Sequence, residues 1–156
     1  MPGTFLEPYA TLLVLLHALA AIVLIGSSTH HFLIALAYVR GSYRVRLARI
    51  YGLVGLVAYG VTFVLGALAY PSYRYHVRGL YLDRYAEWAS NLFDIKENYA
   101  AIGLPLVLGA FVLGRLLEPR EDRQLLLGYV LMVGGVAALV WFNVISGLLI
   151  TMTKGV

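Results

Sequence analysis

Cysteine is absent from this chain, which excludes disulfides, thiolate-held zinc or iron–sulfur groups and thiol catalysis by its own residues. Charge is almost as scarce. Only 13% of the residues are Asp, Glu, Lys or Arg, against roughly 25% in a soluble domain whose surface must be wetted. Between short charged blocks the sequence is apolar, with 61% hydrophobic residues and a mean hydropathy of +0.81. That is the pattern of a multi-pass membrane chain. Met1 to Ala10 contains no Lys or Arg, and the apolar run beyond it outlasts a signal-peptide core, so this segment is expected to stay as a helix. The net charge of +4 comes mainly from arginines between the apolar runs. Those suit anionic lipid rather than nucleic acid, and no nucleic-acid partner is expected.

Four segments are long enough to cross about 30 Å of hydrocarbon, which takes about 20 helical residues. They cover about 9–39, 47–70, 99–117 and 124–152. The first is interrupted by the polar patch Gly26-Ser27-Ser28-Thr29-His30-His31. The second is expected to end at Pro71, which cannot continue the backbone ladder, and the third to kink at Pro105. The fold expected is all-α: one integral membrane domain over 1–156, built as a four-transmembrane-helix bundle. Between spans two and three, Tyr81, Tyr85, Trp88, Leu92, Ile95 and Tyr99 step by three and four residues. This predicts an amphipathic helix in the outer loop, lying at the interface or running directly into span three.

Seven arginines (40, 44, 46, 49, 115, 120 and 123) flank the first and third connections. Arg74, Arg78, Arg84, Lys96 and Lys154 lie on the other side. The excess of seven over five places both termini outside a cytoplasmic membrane of prokaryotic type.

Polar side chains inside a span mark helix contacts or sites, because facing lipid costs several kcal/mol. Here they are His17, His30, His31, Asn143 and Ser146, with Thr62 weaker, so span one holds three of the four histidines. His17 and His31 are 14 residues apart, which at 100° per residue leaves them about 40° apart in direction and roughly 21 Å apart along the axis. They share a face, one in each leaflet. His30 points about 140° from His17 and suits that pairing less well.

Two histidines at this spacing on one transmembrane helix resemble the ligand spacing of di-haem b-type cytochromes and related membrane subunits of dehydrogenases and reductases. The resemblance covers His17 and His31 alone. It implies haem b as cofactor, His17 and His31 as its ligands, and electron exchange with quinone or a partner redox protein; His30, beside His31, is a further candidate ligand by position only. Those families draw a second histidine pair from another helix, whereas spans two, three and four here have none. The missing ligands would come from a twofold homodimer, from another subunit, or from His76 or Glu97 folding over a single group at His17. Beside this stands a plain structural role, in which the histidines hydrogen-bond to a neighbouring helix, with Asn143 and Ser146 at about the depth of His17.

A second constellation, His76, Asp94 and Glu97 with Asp83 and Glu87, has ligand types that suit zinc, iron or copper. Lys96, Arg74, Arg78 and Arg84 can neutralise it as a solvated charged face. No nucleophile triad and no phosphate-cradling glycine loop is present. The leading expectation is therefore a small membrane subunit of a respiratory-type electron-transfer assembly, embedded in the lipid bilayer beside other membrane or redox subunits. A cofactor-free accessory or assembly subunit is the alternative, and a small transporter ranks below both.

Overall fold

The structure, a computed structural model, describes residues 3–155. Among the described residues there is no strand, and four helices are long and apolar enough to cross a bilayer. They are α1 (Ala10–Val39), α2 (Val45–Tyr73), α3 (Glu87–Leu116) and α4 (Arg123–Thr153). This is compatible with an integral membrane protein. Helices are the economical solution in hydrocarbon because each satisfies its own backbone groups.

Local residues set the helix ends. Arg40 caps α1 and Gly41 follows in the left-handed region at φ 80°. The Gly41 amide then donates to Tyr38 O and the Ser42 amide to Ala37 O, both at 3.0 Å. This paired return closes the helix, and it needs a residue without a Cβ penalty at Gly41. At the start of α4 the Asp122 carboxylate accepts the Leu125 amide at 2.9 Å, supplying one of the donors that a helix N-terminus leaves unpaired.

The segment after span two departs from expectation. Pro71 lies inside α2, and the chain continues as a π-helix over Arg74–Leu82 and a helical turn at Asp83–Tyr85. Ala86 breaks the run with φ −150° and ψ 58°, and α3 starts at Glu87, well before the expected boundary at 99. Residues 81–99 form no separate helix, and from Glu87 they run directly into α3. Their apolar stripe crosses the break, with Tyr85, Trp88, Ile95 and Tyr99 exposed, while Ala89, Ser90 and Phe93 pack inward. Pro105 also lies within continuous α3.

The helices form a square in which α1 packs on α2 and α4, and α3 packs on the same two. Alternate helices run in opposite directions. One end therefore carries both termini and the Arg74–Ala86 linker, and the other carries the two short connections. The main core fills the bundle around Leu24, Tyr59, Tyr129 and Val133. A smaller one around Val77, Leu82, Phe93 and Ile150 seals the terminal end.

Candidate functional site

The face of α1 turned into the bundle carries Ala10, His17, Leu24, His31 and Tyr38, each seven residues from the last. All are buried except His17, which is half-buried. Seven residues make two turns in a left-handed helical seam, so these side chains form one line along the contact with a neighbour. Fourteen residues are two such repeats. The spacing of His17 and His31 is thus also the spacing of a packing seam.

Glycines on α2 receive both rings. A Cβ on Gly66 would stand 3.1 Å from His17 Cε1, and one on Gly52 would stand 3.3 Å from His31 Cε1. His17 Nδ1 donates to the Thr62 carbonyl on α2 at 2.8 Å. His31 Nε2 and the Tyr129 hydroxyl of α4 share a 2.6 Å hydrogen bond, its direction set by the tautomer. Tyr129 sits against Gly114 of α3, where a Cβ would meet its Cε2 at 3.0 Å. One side chain therefore ties α1, α3 and α4 together at this depth. Tyr129 is not among the residues the sequence singles out; its signal there is a lone tyrosine in the apolar first half of the helix.

Asn143 and Ser146, expected partners for His17, turn back on their own helix instead. Asn143 Nδ2 donates to Leu139 O at 2.9 Å and Ser146 Oγ to Phe142 O at 2.6 Å. Thr62 Oγ1 and Asn143 Oδ1 are buried without a hydrogen-bond partner among the described residues. Lys96 also departs from its expected role as a neutraliser of its acidic neighbours. Its stem lies against Gly147 of α4, its ammonium stands 5.7 Å from the Phe93 ring centre, and it makes no ion pair among the described residues.

His30 occupies the opposite situation. It is exposed on the outer face of α1, roughly 13 Å short of the helix end at Val39. Its ring stacks on Tyr51 of α2 with centroids 5.3 Å apart, and Nδ1 donates to the Gly26 carbonyl at 2.7 Å. A carbonyl only accepts, so in the neutral ring Nε2 is left as an acceptor on the exposed face of α1.

The expected metal residues are not gathered. His76 Nε2 pairs with Glu7 at 2.9 Å, and Arg78 holds Asp94 through two bonds of 2.6 and 2.8 Å. Arg78 also approaches Asp83 at 3.6 Å, and Ser90 Oγ donates to Asp83. Among the described residues no three His, Asp or Glu side chains form a group able to hold a metal ion. The constellation is a charged cap that fastens the N-terminal segment and the linker to the bundle.

The bundle interior does not fit a haem. Its central cavity, beside Ser28, His31, Gly52, Gly55, Val107 and Val136, measures about 10 Å³. That is room for about one water, whereas ligand sites run to roughly 300–1,000 Å³. His31 Nε2, the nitrogen a haem would need, is already engaged by Tyr129. Comparison of the chain with protein-family models, characterised proteins and solved structures returns no match.

Proposed function

We propose that this chain is an accessory membrane subunit of a larger assembly, joined to its neighbour through the outer face of α1. One observation carries the reading: His30 presents an unfilled ring nitrogen within a lipid-facing apolar strip. A polar group in that position costs several kcal/mol unless something covers it. Its partner by chemistry is a transmembrane helix bringing a hydroxyl or N–H donor to Nε2. The setting proposed is the prokaryotic cytoplasmic membrane with both termini outside, supported by the distribution of arginines.

The respiratory character of the assembly rests on the His17/His31 resemblance and belongs to the same proposal. A redox variant of it has its own support. The His30 Nδ1–H···O=C bond is the arrangement that ligating histidines adopt, with Nε2 turned to the metal. A haem b would then lie outside this bundle, between His30 and a ligand from a partner or second copy.

The protein purified in nanodiscs is expected to run above its 17.2 kDa chain mass in native mass spectrometry. His30→Leu, which replaces an exposed ring stacked on Tyr51 with an apolar side chain, is expected to weaken association roughly tenfold, the 1–2 kcal/mol of an interhelical hydrogen bond in a membrane. A wild-type monomer, or a His30→Leu chain of unchanged assembly, would overturn the proposal. The reduced-minus-oxidised spectrum separates its two forms. No Soret or α-band change is expected for the cofactor-free subunit, whereas a band lost in His30→Leu but kept in His17→Ala would establish the redox one.

A further inference from the structure

The bundle has a second polar feature, at the end that carries the two connections. Tyr59 joins α2 to α3 closer to the opposite end, its hydroxyl donating to Ala100 O at 2.7 Å. Below it a shallow notch opens between the same two helices, walled by Ala48, Arg49 and Gly52 on one side and Phe111, Gly114 and Arg115 on the other. The hydrogen-bonded His31 and Tyr129 form its floor. Both arginines are exposed and neither joins an ion pair among the described residues. The Arg115 guanidinium stands 4.9 Å from the centre of the Phe111 ring, a stacking that leaves its N–H edge available.

Helical periodicity continues the notch away from the arginines as an apolar track. Leu53 and Leu56 follow Arg49 on one face of α2, and Leu108 and Leu104 precede Phe111 and Arg115 on one face of α3. Leu53, Leu104 and Leu108 are exposed. Two unpaired guanidiniums at the level of the headgroups, with an apolar track running from them into the bilayer, match one chemistry. Arginine forks bind phosphate oxygens bidentately, and the track suits an acyl chain. We propose that Arg49 and Arg115 bind the phosphodiester headgroup of an anionic phospholipid, with one of its acyl chains along the α2–α3 groove.

The test uses the whole protein in nanodiscs of phosphatidylcholine with a minor share of phosphatidylglycerol, exchanged into detergent for native mass spectrometry. Retained phosphatidylglycerol is expected on the wild type and roughly thirtyfold weaker on R49Q/R115Q, from about 1 kcal/mol per arginine near the surface. R44Q/R120Q removes the same charge from the neighbouring connections and is expected to keep the lipid. R49Q and R115Q singly are expected to show partial loss, which guards against a double variant that fails to fold. Equal loss in R44Q/R120Q would overturn the proposal in favour of a general basic surface. Thermal stabilisation by inorganic phosphate in lipid-free detergent, equal to that by phosphatidylglycerol, would overturn it in favour of a free-oxyanion site.

Discussion

Gly103→Ala is expected to lower stability by about 1–3 kcal/mol, the usual result of forcing atoms into a filled core. A Cβ at this position would overlap the Tyr59 hydroxyl and approach its Cζ to 2.8 Å. Tyr59 is buried and donates to Ala100 O one turn before Gly103, so it cannot move aside without abandoning that bond. The sign reverses once the ring is gone. In a Tyr59→Ala background, Gly103→Ala is freed of its three nearest contacts, all from the Tyr59 ring, and gains the higher helix propensity of alanine, up to about 1 kcal/mol. Denaturant titration of the four chains of this double-mutant cycle in mixed micelles measures both steps. An equal loss in the two backgrounds would show that the ring is not the cause.

The second large effect concerns the His31–Tyr129 pair. Tyr129→Phe keeps the ring against Gly114 and removes only the hydroxyl, leaving His31 Nε2 buried and unanswered. The expected loss is about 1–2 kcal/mol, between the cost of a buried unsatisfied group and the smaller values found where a membrane chain finds other partners. His31→Leu should cost a similar amount through the stranded hydroxyl. The double variant should then lose less than the sum of the two. Strict additivity would mean the two groups do not act as a pair.

The four spans were legible because hydrocarbon imposes length and apolarity directly on sequence. The expected and observed limits of spans one, two and four differ by only a few residues. Span three starts earlier than expected because the charged residues up to Glu97 suggest a connection, whereas from Glu87 they belong to the same helix as the span; span two outruns Pro71 for a different reason. Proline removes one amide from the ladder, and here the chain absorbs that loss and stays helical through Tyr85. The amphipathic stripe over residues 81–99 was legible as a pattern, but the break at Ala86 was not. Alanine there carries no turn signature, and the break lies where Leu82, Ala86 and Phe93 pack in the terminal core.

The histidines show where a sequence stops informing. Their period was visible, and it fits a packing seam as well as a ligand pair. Choosing between the two needs the register of α1 on α2, which pairs His17 with Gly66 and His31 with Gly52. Those glycines were legible only as generic close-packing residues. The exposure of His30 likewise depends on how α1 is rotated in the square, which the interrupted polar patch over 26–31 leaves open.

The single-residue break at Ala86 has a mechanical consequence. From Val45 to Leu116 it is the one residue outside helical geometry, so α2 with its extension and α3 behave as two stiff arms meeting at one pivot. The terminal core clamps the arms beside that pivot, and the α2–α3 notch lies near their far tips. The α3 arm is about 45 Å long, so each degree of rotation at the pivot displaces its tip by about 0.8 Å. Any rotation at Ala86 would therefore be felt least in the terminal core and most at the notch, where the Tyr59–Ala100 bond and the packing of α2 on α3 oppose it.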